Sequence, residues 1–139
     1  MFSTQAFNED AFRYLLGVQR KRSERSEQPF LLLLVDLDVD SGSRLRIHPA
    51  VARKLVSGLC RALRETDLVG WYREERIAGA LLTARGGDSW AGAARIVSQR
   101  VTEVLAEDLP SPVAQRVRVR THYIRPHVAA RFSQRFQSW

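Results

Sequence analysis

Hydrophobic and polar positions change period several times along the chain, and each change marks an element. Phe12, Leu15 and Leu16 share one helical face behind Asn8, Glu9 and Asp10. That pattern predicts an amphipathic helix over about Glu9–Arg25, capped by Asn8, with the acidic pair in the first turn where the helix dipole favours it. The polar run Lys21–Glu27 reads as the solvated end of this helix, and Pro29 closes it. Phe30 to Val35 is unbroken apolar sequence that stops at the carboxylates Asp36 and Asp38. It predicts a central strand to Leu37, buried on both faces. After a loop over Asp38–Ile47 that turns at Gly42, Pro49 opens a second helix running to about Glu65. Its apolar face is Val51, Leu55, Leu59, Ala62 and Leu63, with Cys60 as a small buried residue.

Two further strands are expected over Leu68–Tyr72 and Ile77–Thr83. Only Arg73-Glu74-Glu75-Arg76 separates them, so they form a hairpin whose turn lacks the usual Gly or Asn. The loop Ala84–Ser89 leads into a third helix, about Trp90–Glu107, with Ile96, Val97, Val101, Val104 and Leu105 as its apolar stripe. Pro110 and Pro112 punctuate the next loop. Val113–Ile124 reads as a strand with one wet face, because Val117-Arg118-Val119-Arg120 alternates strictly. Val128, Phe132 and Phe136 fit one side of a short helix in the tail.

The elements are ordered helix, strand, helix, hairpin, helix, strand. The β-α-β-β-α-β core is an α+β, ferredoxin-like plan: an antiparallel sheet with helices packed on one face, preceded by an extra N-terminal helix. One domain over residues 1–126 and a basic aromatic tail over 127–139 account for the whole sequence.

Composition narrows the function classes. At 139 residues and 45% hydrophobic content the chain can bury a core. One cysteine and three histidines supply neither a disulfide framework nor a zinc site. The longest apolar run is far short of the roughly 20 residues that span a bilayer, so no membrane span is expected. The N-terminus lacks the pattern of an export signal, and a reducing cytoplasm is the expected location. The net charge is +7, and of 22 basic residues only Lys21 and Lys54 are lysine. Arginine suits bidentate phosphate recognition. The charges are spread along the chain, and nucleic acid is not the expected partner.

The element order, with carboxylates ending the first strand and a short hairpin after the second helix, resembles the GGDEF (diguanylate cyclase) domain over roughly Asn8 to Pro126. Three stretches carry the resemblance. Phe30–Asp38 is similar to the family's first strand, which ends in a metal-binding Asp. Leu63–Tyr72 is similar to the approach to the signature. Arg73-Glu74-Glu75-Arg76-Ile77 falls where Gly-Gly-Asp/Glu-Glu-Phe should stand.

The resemblance implies a degenerate, non-catalytic member. The two signature glycines, which let backbone approach the phosphates of GTP, are replaced by Arg73 and Glu74. The third position remains acidic as Glu75, and with Asp36 it makes a relic pair of Mg²⁺ ligands; the fourth is Arg76. The Lys and Asn that the family places after its first strand have no counterpart in Val39–Arg44. No resident cofactor or metal is therefore expected. Gly86-Gly87-Asp88 spells most of the signature but precedes a helix, where a turn and an N-cap explain it.

The resemblance also implies a ligand site. Arg64-Glu65-Thr66-Asp67 stands at the spacing of the family's inhibitory site for cyclic di-GMP, to which a second arginine on the next helix contributes. Arg95, or failing it Arg100, falls near that place. Arg64 can fork onto phosphate or guanine, and Asp67 can accept from guanine N–H groups. The same residue types are equally ordinary at a helix end. Two functions stay open: a regulatory cyclic di-GMP receptor, or a nucleotide-independent protein-interaction or dimerisation domain using the aromatic tail Phe132, Phe136 and Trp139.

Overall fold

The computed structural model describes residues 6–38, 46–83 and 90–126. The elements are α1 (Glu9–Ser26), β1 (Phe30–Leu37), α2 (Pro49–Ala62), β2 (Leu68–Arg73), β3 (Ile77–Leu82), α3 (Trp90–Asp108), α4 (Ser111–Ala114) and β4 (Val117–Ile124). The strands form one sheet in the order β2-β3-β1-β4, and all neighbours are antiparallel. The α+β plan read from the sequence is the one observed.

The alternation of β1 divides the interior. Leu31, Leu33 and Val35 face α2 and α3, where they pack with Leu55, Leu59, Val97 and Val101. Phe30, Leu32 and Leu34 face the other way, with Phe12 and Leu16 of α1, Tyr72, Leu81 and Ile124. The two core helices, α2 and α3, share one face as the plan has it, and the extra helix α1 covers the second face. Its approach depends on bare backbone: a Cβ on Gly70 would lie 2.6 Å from the Phe12 ring, and one on Gly79 would lie 3.0 Å from it. Burial of a leucine or phenylalanine stabilises the fold by about 2 kcal/mol, so both faces contribute heavily.

Local signals behave as their chemistry requires. Asn8 accepts from the Ala11 N–H at 2.9 Å at the start of α1, and Glu27 ends the helix in a left-handed conformation, φ 58°. His48 caps α2, with Pro49 in its first turn. Two boundaries and one burial differ from expectation. α2 stops at Ala62, not near Glu65. The segment Ser111–Ala114 is a helical turn, so the last strand begins at Val117. Ile96, expected in the α3 stripe, is 64% exposed. The tail, the loop with Gly42, and Gly86-Gly87-Asp88 with its expected cap lie outside the described residues. No helix among the described residues is long and apolar enough to cross a membrane.

Candidate functional site

Three places carry the residues singled out by sequence. The first is the hairpin. The turn is three residues, Glu74-Glu75-Arg76, because Arg73 still pairs with Ile77 as the last residue of β2. The Arg76 N–H donates to the Arg73 carbonyl at 2.9 Å. Glu75 has φ 55°, a conformation that favours glycine, and a side chain there costs about 1 kcal/mol. Its carbonyl accepts from the Ile47 N–H at 2.7 Å, which ties the turn to the start of α2. Its carboxylate lies 3.4 Å from Arg46. Glu74 turns the other way: its Oε1 accepts from the Glu9 N–H at 3.0 Å, at the first residue of α1.

The second place is the end of β1. Asp36 pairs across the sheet with Arg118 of β4. Arg118 grips it through both Nε, 3.3 Å from Oδ1, and Nη2, 2.9 Å from Oδ2. Arg120, two residues on and so on the same face, brings Nη2 to 3.6 Å. Hydrogen bonding and the charge of Asp36 push the Arg118 guanidinium pKa up. Asp38 adds a longer contact with Arg118, at 4.0 Å. As held, Asp36 faces two guanidiniums, while the Glu75 carboxylate lies against Arg46. Among the described residues no group of three His, Cys, Asp or Glu side chains is placed to hold a metal ion.

The third place is the turn after α2. The Asp67 side chain is fully buried. Its Oδ2 accepts from the Arg64 N–H at 2.9 Å, and its own N–H donates to the Arg64 carbonyl at 2.9 Å. This reciprocal clasp is why α2 ends early. The Arg64 guanidinium, 3.8 Å from Asp67, is half-exposed and reaches the Thr83 carbonyl at 3.5 Å. Arg64 and Arg100 line one cleft of about 180 Å³, with Leu63, Ala93, Ile96 and Val97 between α2 and α3. Arg95 is exposed on α3 and does not line that cleft. A larger cleft of about 580 Å³ lies beside α2 and the β2 edge, against Ala6, Arg53, Lys54, Trp71 and Glu75.

Sequence reasoning missed Arg118 and Arg120 as partners of Asp36. The signal was present: their alternation puts both on one face, and a ferredoxin-like plan sets the first and last strands side by side. It also missed Glu9 as the partner of Glu74, for which no local pattern exists.

A four-stranded antiparallel sheet with helices on both faces is an α+β arrangement of the nucleotide-cyclase-like fold. Solved structures place it more closely. The chain is similar to a diguanylate cyclase protein from Thermotoga maritima, with TM-score 0.61 and 18% identity over 86% of this chain and 81% of that one. It is similar to the GGDEF domain of DgcB from Caulobacter crescentus in complex with c-di-GMP, with TM-score 0.60 and 14% identity over 99% and 85%. It is also similar to diguanylate cyclase SiaD from Pseudomonas aeruginosa in complex with its activator SiaC, with TM-score 0.66 and 19% identity over 94% and 52%. No protein-family model matches the chain, and no curated protein does. The fold is GGDEF-like.

Proposed function

We propose that this chain is a GGDEF-like regulatory domain that does not synthesise cyclic di-GMP. The observation that supports the reading is the state of Asp36, held by Arg118 and Arg120 at the strand end where the fold's cyclases carry a metal-binding Asp. Phosphoryl transfer is largely positioning and charge stabilisation. Here the carboxylate is neutralised, and Arg73 at the end of β2 and Glu74 in the turn stand in place of the two glycines. Incubation with GTP and Mg²⁺ tests this. No linear or cyclic dinucleotide is expected above a protein-free control. Product that disappears in Asp36→Ala overturns the proposal.

The regulatory ligand we propose is cyclic di-GMP, bound at the cleft of Arg64 and Arg100. Support comes from the convergence of two arginines on an apolar floor, and Arg100 makes no ion pair among the described residues. Asp67, enclosed beneath Arg64, serves this site by positioning the arginine, not by touching ligand. Calorimetry with cyclic di-GMP is expected to show micromolar binding that is lost in Arg64→Ala and in Arg100→Ala and kept in Arg95→Ala. No heat at high micromolar ligand removes the nucleotide and leaves the protein-interaction reading, in which a partner or a second copy is the ligand. SiaD, seen with an activator protein, is a neighbour of that kind.

A further inference from the structure

Just before α1 the chain meets the outer edge of β2 at Phe7, in a single isolated bridge. The Phe7 N–H donates to the Val69 carbonyl at 3.1 Å, and the Phe7 carbonyl accepts from the Trp71 N–H at 2.9 Å, in parallel pairing opposite Gly70. Two residues on, a second contact forms. Glu9 Oε1 accepts from the Glu74 N–H at 2.7 Å, while Glu74 Oε1 accepts from the Glu9 N–H at 3.0 Å. Each carboxylate thus satisfies a backbone donor of the other residue, one of them an orphan donor of the α1 N-terminus. The Glu9 carboxylate also lies 3.5 Å from Arg13, whose Nε donates to the Tyr72 carbonyl at 3.2 Å.

Burial rises steeply from this edge segment into the helix. Phe7 is 42% exposed and Glu9 is half-buried, whereas Phe12 is fully buried under the sheet. Asn8 and Glu9 are also the N-cap and first residue of α1, so release of this segment would fray the first turn, while Phe12 anchors the rest of the helix. Ala6 and Trp71 line the 580 Å³ cleft together with Arg53 and Lys54, so the segment touches the rim of that cleft at Ala6.

We propose that residues 6–9 are a displaceable strap. The pairing of Phe7 with β2 and the Glu9–Glu74 exchange make and break as one unit, and release opens that rim of the cleft and bares the β2 edge together. The physical reason is length: two or three residues separate the contacts, and neither is buried enough to stand alone. Low-stability units of this kind open locally without global unfolding.

Site-resolved amide hydrogen exchange on the full chain tests the coupling. In Glu74→Ala the amides of Glu9, Phe7 and Trp71 are expected to exchange faster together, by roughly tenfold or more, while Leu33 in the sheet centre keeps its rate. Glu74→Gln, which retains the carbonyl acceptor, is expected to restore slow exchange. Acceleration confined to Glu9, or acceleration of Leu33 to the same degree, overturns the proposal. The reverse experiment removes the Phe7 donor. Phe7→Pro is expected to speed the amides of Glu9 and Glu74, because coupling is reciprocal; unchanged rates there overturn it as well.

Discussion

Asp67 shows how one residue type, at one spacing, divides between two roles. The Arg-x-x-Asp pattern suggested two side chains presented to a ligand, but the carboxylate is enclosed and bonded to the Arg64 N–H. Removing it leaves the part-buried Arg64 N–H without its acceptor and empties an enclosed site. Asp67→Ala is therefore expected to cost about 2 kcal/mol in urea unfolding. Arg64→Ala, which loses a partly exposed ion pair and a long hydrogen bond to the Thr83 carbonyl, should cost about 1 kcal/mol. His122 on β4 carries a pH prediction. Burial, and then the nearby charge of Arg120, lower its pKa below the ordinary histidine value of 6.5. The unfolded chain takes up a proton first as pH falls, so the stability due to neutral His122 is complete above about 6.5. It declines from there down to the lowered folded-state value. The urea midpoint is expected to drop over that range, and His122→Phe is expected to flatten the drop.

At the scale of elements, α1 ends on Glu27 in a left-handed conformation that glycine adopts without strain. Glu27→Gly is expected to stabilise the protein by about 0.5–1 kcal/mol, because relief of strain exceeds the added freedom of the unfolded chain. A lower melting temperature in this variant would contradict the assignment. The long elements were legible because their patterns run uninterrupted for many residues: the apolar block of β1, the helical spacing of α2 and the alternation of β4. The errors share a cause. The end of α2 is set by a carboxylate buried from a neighbouring turn, and α4 is a single turn too short to show a period. Ile96 fits the α3 stripe by spacing, yet that stripe is wider than the surface α2 and the sheet cover. Of the candidate site, the hairpin and the Arg64–Asp67 turn were legible, while the exposure of each side chain was not.

For the whole molecule, β1 is the member on which both cores depend. Leu33 packs toward α2 and α3, and Leu32 toward α1. Truncating either to alanine is expected to cost about 2–5 kcal/mol. Because one strand carries both faces, each variant should still unfold in a single transition, with tryptophan fluorescence and far-ultraviolet dichroism coinciding. Two separated transitions would show that the α1 layer is an independent unit.

By itself the sequence determined the order of the long elements, the central place of β1 and the charged character of the hairpin turn, since period, apolar content and residue type are local properties. Only the tertiary structure decided that α1 covers the second face, that Arg118 and Arg120 occupy Asp36, that Arg64 shares a cleft with Arg100, and that Glu9 meets Glu74. Each of those joins residues far apart in the chain, and such pairs are chosen by strand register and by which face of a helix finds room against the sheet.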